Sequence, residues 1–521
     1  MTGIEQARQS RAAVITDAPG TPTLQVLHQL FDRLHSEGIR YCHWKSNEHL
    51  QASFTGATDV DVLFDRRAIV PLTRILGESN FKRFVVRPGR GYPGIEDYVG
   101  FDAATGVLTH LHVHYQLTLG EKFLKGHRLP WEEVYLDTRV WNPEFGLYMA
   151  DPHVELVALL VRAVLKLRAR DALLEAAGTP YMRGGMRREL TWLQQRVERR
   201  RLLEIGAQLV GEPAARLLPQ LAEQAPPSVR RLRAFGRLVR PSLDEFRLFA
   251  TSDAIRQMAT RELRVVWWKV RNWYHGAPTK STRTLPHGGL TVAILGADGS
   301  GKSTLTAALA EWLSREVAVV TTYGGSGKGS ATLPRRLLQS LGAFRRSLIG
   351  SKRSAAAEPV RVEPGARRPA TRPSLARAVW VLALARERRQ RARDARRARG
   401  LGMIVLSDRL PQTQFPGWND GPRLVPWLEN GSAALRAAAR REQAAFRLAE
   451  MTPPDIVLKL HVSSEVATRR KPETPAEQLR TGIDMVRRLR FPPTTRVVEL
   501  DAELPLPEVV LAAKRAIWEV I

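Results

Sequence analysis

The chain has little of what marks secreted or membrane-spanning proteins. Its 521 residues include one cysteine, Cys42, which excludes a disulfide framework and a thiolate zinc site and is typical of a reducing cytoplasm. No stretch approaches about 18 uncharged apolar residues, so we predict no membrane-spanning helix. The first segment, residues 1–19, has no apolar core, so we expect no secretory signal and a cytoplasmic location.

Acidic residues are few relative to basic ones. Lysine and arginine number 80 against 52 aspartates and glutamates, which gives a formal net charge of +28. Such an excess attracts polyanions: nucleic acid, an anionic membrane surface or phosphorylated small molecules. Much of the excess is arginine in alanine-rich helices, which a bias of composition explains equally well. Charge alone therefore leaves a polyanionic partner open.

The length exceeds what one hydrophobic core supports, and roughly two to four domains are expected. Composition and periodicity predict an α+β domain, a helical bridge, a linker rich in proline and threonine, and an α/β domain, for which the family resemblance given below implies a doubly wound parallel sheet. The predicted bounds are a disordered lead at 1–22, the α+β domain at 23–205, the bridge at 206–275, the linker at 276–289, and the α/β domain at 290–521 with a mobile basic insertion at about 330–374.

The strongest chemical signal is a glycine-rich loop between an apolar strand (290–295) and an amphipathic helix (305–313). Strand, glycine loop and helix form the context of a phosphate-binding loop. In such a loop the backbone N–H groups point at phosphate, Lys302 would reach the β- and γ-phosphates, and the Ser303 hydroxyl would bind Mg²⁺. We therefore predict a site for ATP and Mg²⁺. The loop consists of Gly296, Ala297, Asp298, Gly299, Ser300, Gly301, Lys302, Ser303 and Thr304.

A second apolar strand (402–407) ends in Asp408 and Arg409. The carboxyl edge of a doubly wound sheet is where such folds place their sites. An acid there suits the Walker B role of holding the magnesium shell, and the arginine can bind a phosphate through two N–H groups. We expect Asp408 to face the loop of Lys302 across one nucleotide pocket.

These motifs, with residues 454–467, resemble thymidylate kinase in order and spacing over about residues 288–521. The resemblance implies transfer of the γ-phosphoryl group of ATP to a nucleoside monophosphate or a related phosphorylated acceptor. It implies that Asp298 lies near the acceptor sugar and that Arg388 and Arg409 contact the acceptor. It also implies a lid whose cations, Arg469 and Arg470, offset charge on the transferring phosphoryl. Lys302, Asp408, Arg409, Arg469 and Arg470 would then be catalytic.

Two segments depart from that family. Residues 323–327 replace its Arg-Glu-Pro-Gly, and Leu410 replaces the aromatic residue after Asp-Arg. These segments choose the acceptor in the family. The acceptor therefore stays open among nucleoside monophosphates, sugar phosphates and lipid-linked phosphates.

The first domain carries paired acids. Asp59 and Asp61 share one face of a strand (56–64), and two carboxylates so spaced can hold a divalent metal against a triphosphate. With residues 44–47, Trp-Lys-Ser-Asn, the segment resembles the nucleotidyltransferase superfamily, in which a later strand supplies a third carboxylate. Here that strand (108–116) offers His110, His112 and His114 on one face. The second or third of these histidines could replace the acid as a metal ligand, or all three form a solvated strand face.

Three functions follow. The leading one is the phosphotransferase; the alternatives are a nucleotide-gated protein that docks on an anionic membrane surface or nucleic acid, and a nucleotidyltransferase acting through the first domain. Trp267, Trp268 and Trp273, set among cations, fit such docking or an inter-domain contact. A homodimer is also left open.

Overall fold

The computed structural model describes residues 22–86, 91–120, 125–223, 226–274, 283–323, 375–418 and 420–521. The chain divides into two compact units, with the division between Gly276 and Ala277. The expectations for residues 1–21, for most of the linker, for the loop at 324–327 and for the insertion at 330–374 lie outside the described residues.

The first unit is built on a mixed β-sheet, whose strands within this unit run in the order β3-β4-β5-β2-β1-β9-β8. The pairs β2–β5 and β1–β9 are parallel and the others are antiparallel. A separate pair, β6 and β7, is antiparallel. The bounds are β1 (Tyr41–His43), β2 (Val60–Phe64), β3 (Phe81–Val86), β4 (Ile95–Phe101), β5 (Leu108–His114), β6 (Leu117–Leu119), β7 (His127–Leu129), β8 (Val140–Asn142) and β9 (Leu147–Met149).

Helices cover this sheet and extend beyond it. They are α1 (Gln25–Ser36), α2 (Leu50–Phe54), α3 (Ile69–Glu78), α4 (Glu132–Asp137), α5 (Pro152–Lys166), α6 (Ala169–Ala176), α7 (Gly185–Gln194), α8 (Arg199–Val210), α9 (Glu212–Ala215), α10 (Leu218–Glu223), α11 (Val229–Asp244) and α12 (Thr251–Tyr274), with 3₁₀ turns at Asn47–His49 and Arg66–Ala68. The start of α5 follows from its sequence: the Asp151 carboxylate accepts from the N–H of His153, and Pro152 occupies the first turn.

Two apolar cores hold the first unit together. One lies between the sheet and α1 and α3, where alternate residues of β2, Val60 and Val62, are fully buried. This alternation is the one that the sequence predicts. The other surrounds α5, which is buried on nearly all sides by the later helices. The apolar run of α5 is therefore explained by burial within the protein.

The second unit is a parallel sheet with helices packed against it. A short strand, β10 (Arg283–Thr284), precedes β11 (Thr291–Gly296), β12 (Val319–Tyr323), β13 (Ile404–Asp408), β14 (Ile456–His461) and β15 (Arg496–Asp501). The last five pair in parallel in the order β12-β13-β11-β14-β15. The helices are α13 (Lys302–Ser314), α14 (Leu375–Gly400), α15 (Trp427–Asn430), α16 (Ala433–Glu450), α17 (Ser464–Arg470), α18 (Ala476–Arg488) and α19 (Leu506–Val520).

The strand order of the second unit fixes where a site can form. From β11 the chain passes to β12, which lies at one edge of the sheet. From β13 it later crosses over β11 to β14, which lies toward the other edge. Crevices at the carboxyl ends of strands open where the direction of winding reverses. The carboxyl ends of β11 and β13 are hydrogen-bonded neighbours, with Ile294 opposite Asp408. Hence the loop after β11 and the acid that ends β13 are brought to one edge.

The structure includes no helix, in the portion of the chain that it describes, that is both long enough and apolar enough to span a bilayer.

The central strand should carry much of the second unit's stability. Val292 in β11 is fully buried, whereas Val497 in the edge strand β15 is 39% exposed. We expect Val292→Ala to lower the free energy of unfolding by about 2–3 kcal/mol, since two buried methyl groups are lost and a cavity is left. The matched control Val497→Ala should change it by less than about 0.5 kcal/mol. Urea unfolding with hydrogen exchange at β11 measures both, and equal effects would contradict this account of the core.

Candidate functional site

The loop between β11 and α13 curls around the side chain of Lys302. Gly299 and Gly301 adopt φ values of +83° and +85°, a region that favours glycine. The Lys302 Nζ donates to the carbonyls of Gly296 at 2.9 Å and Ala297 at 2.7 Å. The loop therefore closes on a buried ammonium group, in the geometry that a phosphate-binding loop requires.

The surroundings of Lys302 disfavour the charged form of its side chain. Burial, reinforced by the nearby Arg409 guanidinium, lowers the pKa of Lys302 to about 8, against the opposing influence of Asp298 and Asp408. The closest acid, Asp298, lies 3.9 Å away. An anionic group beside Nζ would stabilise the charged form and raise this pKa. The loop is thus electrostatically suited to phosphate.

The predicted meeting of Ser303 and Asp408 occurs. Ser303 Oγ donates to Asp408 Oδ2 at 3.0 Å. The other carboxylate oxygen, Oδ1, is buried and has no hydrogen-bond partner among the described residues. A hydroxyl and a carboxylate with a spare buried oxygen are hard oxygen ligands of the kind that Mg²⁺ prefers. These residues therefore fit a magnesium ion.

Arg409 lies beside this pair and links two further acids. Its Nη2 is 2.9 Å from Asp298 Oδ1, and its Nη1 is 3.3 Å from Asp420 Oδ2. The backbone of Arg409 has a φ of +74°, which is unusual for a residue with a side chain and costs energy unless the surroundings enforce it. Arg409 N–H donates to the carbonyl of Ile294, so the β-sheet itself holds this conformation.

A cavity of about 190 Å³ opens next to these residues. Three cations and two acids line it, together with an indole ring and the helix α18. Its lining includes Lys302, Arg409, Arg423, Asp298, Asp420 and Trp418. The sequence placed Trp418 and Asp420 in a segment expected to choose the acceptor, but it gave no individual role to them or to Arg423, because the stretch is irregular and has no periodicity. The one available signal was that this stretch departs from thymidylate kinases just after Arg409.

Arg388 lies apart from that cavity. It lines a smaller one, of about 80 Å³, together with Thr322 and Ser407. The guanidinium is buried over the ring of Phe446 at 4.6 Å, and its Nε and Nη2 have no hydrogen-bond partner within the described part of the chain. Burial lowers the pKa of Arg388, with Asp420 acting in the opposite sense. Asp420 thus connects the two arginines electrostatically.

One of the two predicted lid cations, Arg470, lies against the loop. Ser463 caps the start of helix α17, and its hydroxyl accepts from the N–H of Val466 at 3.2 Å. At its other end, Arg470 Nη1 lies 3.5 Å from the carbonyl of Gly299 and donates to that of Ala502 at 3.0 Å. Arg469 is exposed next to it. The structure therefore brings Arg470 to the same loop that holds Lys302.

A second cluster lies in the first unit, centred on Asp61. One oxygen of Asp61, Oδ1, is 2.9 Å from Lys45 Nζ, 3.0 Å from His112 Nδ1 and 3.2 Å from His114 Nε2. Although burial raises the pKa of Asp61, the Lys45 ammonium and the two imidazoles hold it well below its usual value. Burial also lowers the pKa of both histidines. These shifts favour an ionised Asp61 carboxylate and uncharged imidazole rings.

Asp59, the other predicted acid, contacts a different histidine. His110 Nδ1 lies 2.9 Å from Asp59 Oδ1, and His110 Nε2 lies 2.8 Å from Asp97 Oδ1. The sequence did not single out Asp97, which lies on β4 beside β5. The three histidines share one face of β5, as their alternation predicts, with neighbouring ring centroids 5.4 Å and 4.4 Å apart. The two predicted acids, Asp59 and Asp61, therefore contact different histidines.

The Trp-Lys-Ser-Asn segment positions Lys45. The side chain of Trp44 is buried with its ring 5.1 Å from that of His114, and the backbone N–H of Trp44 donates to the backbone carbonyl of Asp61 at 3.1 Å. Asn47 donates to both oxygens of the buried Glu155, at 3.1 Å and 2.6 Å. Burial raises the pKa of Glu155 to about 8. These anchors on both sides hold Lys45 at Asp61.

The tryptophan-rich segment predicted for docking forms the last part of α12. Trp267 is 62% exposed in it. The side chains of Trp268 and Trp273 lie outside the described residues. A docking role for this helix stays a prediction.

The fold of the second unit is compatible with one broad class of protein. The chain is α/β, with one mixed and one parallel sheet, and the parallel sheet with its glycine loop is compatible with the fold of P-loop NTPases. No protein-family model matches the chain.

Two curated proteins of Escherichia coli K12 are similar to it. One is named the uncharacterized ATP-binding protein YghR, which is 26% identical over 229 residues, covering 43% of this chain and 86% of the relative. The other is named the uncharacterized ATP-binding protein YghS, which is 28% identical over 227 residues, covering 43% of this chain and 91% of the relative.

The lowered pKa of Lys302 predicts how stability depends on pH. Its pKa is about 8 in the fold and 10.5 ordinarily, so between these values the unfolded chain binds more protons and the free energy of unfolding rises with pH. We expect the parent to gain on the order of 2 kcal/mol from about pH 7.5 to 9.5 relative to Lys302→Met, which lacks the group. Urea unfolding at the two pH values tests this, with the exposed Lys471→Met as control. Parallel pH curves for parent and Lys302→Met would contradict it.

Proposed function

We propose that the second unit is an ATP- and Mg²⁺-dependent phosphotransferase resembling thymidylate kinase. It would pass the γ-phosphoryl group to a nucleoside monophosphate or a related phosphorylated acceptor. The observation that carries the proposal is the 3.0 Å hydrogen bond between Ser303 and Asp408, which joins the glycine loop to the acid that ends the neighbouring strand. The names of YghR and YghS, both called ATP-binding, support the nucleotide. In this proposal the kinase is fused to a nucleotidyltransferase-like first unit.

The donor would lie in the loop. The N–H groups of the loop and of the first turn of α13 would bind the phosphates of ATP, and the positive end of the helix dipole adds to them. Lys302 exchanges its two carbonyl partners for phosphate oxygens, so that its charge is satisfied. Ser303 and Asp408 would hold Mg²⁺, which neutralises phosphate charge and fixes the orientation of the phosphates.

The acceptor would lie in the cavity beside Arg409. Lys302, Arg409 and Arg423 line it with Asp298 and Asp420, so cations outnumber acids and a phosphorylated acceptor is favoured over a neutral one. Asp298 and Asp420 each accept from one terminal nitrogen of Arg409 and so fix the orientation of its guanidinium. The oriented guanidinium can present two N–H groups to one phosphate. The ring of Trp418 in the same lining offers an apolar surface for a base or a sugar.

The lid cations would act on the phosphoryl group in transit. Arg470 is held at the loop by the carbonyls of Gly299 and Ala502, and Arg469 is next to it. Charge on the transferring group is offset by cations that are already in position, and such preorganised contacts are the largest expected contribution to the rate.

Lys302→Ala should abolish most phosphoryl transfer. We expect kcat/KM with γ-labelled ATP to fall by about 10²–10³-fold, as for the loss of one preorganised charge contact. The acceptor panel consists of nucleoside monophosphates, sugar phosphates and lipid-linked phosphates. Lys514→Ala, a lysine that contacts Trp312 elsewhere in the unit, serves as the matched control and should stay within twofold of the parent. Equal turnover of ATP by parent and Lys302→Ala with acceptor present would refute the proposal.

Arg409→Lys should separate acceptor binding from donor binding. A lysine presents one point charge and cannot span Asp298 and Asp420 with two N–H groups. We expect the KM for the acceptor to rise about 10-fold or more, while the Kd for ATP changes by less than about threefold. Steady-state kinetics and equilibrium dialysis with ATP measure the two constants. A larger change in ATP affinity than in acceptor KM would assign Arg409 to the donor instead.

A further inference from the structure

Three metal-ligating atoms converge in the first unit, outside the proposed kinase site. Asp61 lies on β2, and His112 and His114 lie on the adjacent parallel strand β5, with Asp61 directly opposite His112. Because side chains alternate along a strand, all three project from one face. Their ligand atoms, Asp61 Oδ1, His112 Nδ1 and His114 Nε2, all lie within 4.8 Å of one another.

The separations suit ligands of one ion. Metal bonds from histidine nitrogen and carboxylate oxygen are about 2.0–2.2 Å long, so two ligands at tetrahedral or right angles lie about 2.8–3.6 Å apart. Asp61 Oδ1 is 3.0 Å from His112 Nδ1 and 3.2 Å from His114 Nε2. Two of the three ligand pairs are therefore already at the separation that one ion requires, and the two histidine nitrogens lie within 4.8 Å of each other.

The kind of ligand selects the kind of ion. Mg²⁺ and Ca²⁺ take oxygen ligands, whereas imidazole nitrogen favours Zn²⁺ and other divalent transition metals. We infer that Asp61, His112 and His114 form a binding site for a divalent transition-metal ion of the zinc type. The site takes one acid of the predicted pair, since Asp59 contacts His110 instead. It is independent of the proposed kinase function.

The two ends of the site differ in burial, so one end is rigid and the other is accessible. The side chain of His114 is fully buried with the ring of Trp44 against it, while 20% of the His112 side chain is exposed. An ion can thus enter past His112 and meet ligands that are already oriented. Three protein ligands leave a coordination position for water or a substrate, as in catalytic metal sites.

Lys45 supplies a competing cation. Its Nζ is 2.9 Å from the same oxygen of Asp61 that faces both histidines. Ammonium and metal ion would share one carboxylate oxygen and repel each other. Removing the ammonium should therefore strengthen metal binding, which distinguishes a metal site from a salt bridge that only stabilises the fold.

Zinc titration of the full chain tests the inference. We expect the parent to bind one Zn²⁺ at this site, measured by calorimetry and by competition with a chromophoric chelator. His112→Asn should weaken binding about 100-fold, because one of three ligands is lost. The control His28→Asn changes a histidine of α1 that contacts Thr23 and should bind as the parent does. Circular dichroism confirms that each variant is folded.

Lys45→Met gives the opposite sign. We expect it to bind Zn²⁺ about 10-fold more tightly than the parent, by removal of one nearby charge. A variant that is merely misfolded cannot produce this gain, so the test holds even if His112→Asn fails to fold. A parent without zinc affinity, equal affinity of His112→Asn and His28→Asn, weaker binding by Lys45→Met, or Mg²⁺ binding as tight as Zn²⁺ would each overturn the inference.

Discussion

The candidate site of the second unit centres on one hydrogen bond, from Ser303 Oγ to Asp408 Oδ2. It joins the first turn of α13 to the end of β13, two segments about a hundred residues apart in sequence. Parallel pairing of β11 with β13 makes the contact unavoidable, since it places Ile294 opposite Asp408 and the loop begins just beyond. The arrangement of Lys302 and Arg409 follows from the same edge of the sheet. A fold that paired these strands differently would separate Lys302 and Ser303 from Asp408 and Arg409.

Two buried cations in this unit have few polar partners to offset the loss of their hydration. Lys302 rests on two carbonyls, and Arg388 on an aromatic ring with two nitrogens that have no hydrogen-bond partner among the described residues. Desolvation penalises such charges, and burial accordingly lowers the pKa of both groups. A phosphate group beside either cation would offset that cost.

The sequence predicts features that depend on residues close together in the chain, but not contacts that depend on how distant strands pair. The glycine loop, the strand ending in Asp408 and the histidine face of β5 are set by residues close in sequence, and the structure has them where they were expected. The partners of the acids depend on strand order, which no local pattern encodes. Asp97 reaches His110 only because β4 pairs with β5. Asp420 reaches Arg409 across an irregular stretch, so its role in the cavity could not be predicted.

The two units differ in the ligand atoms that they offer to a metal ion. In the second unit the available groups are a hydroxyl and a carboxylate, which are hard ligands suited to Mg²⁺ with phosphate oxygens completing the shell. In the first unit two imidazole nitrogens lie at one oxygen of Asp61, so nitrogen outnumbers oxygen among these ligand atoms. Replacing an oxygen ligand by nitrogen shifts preference from magnesium toward transition metals. The histidines of β5 therefore give the first unit a nitrogen-rich set of ligand atoms within a regular sheet, because their side chains lie on the same face as Asp61.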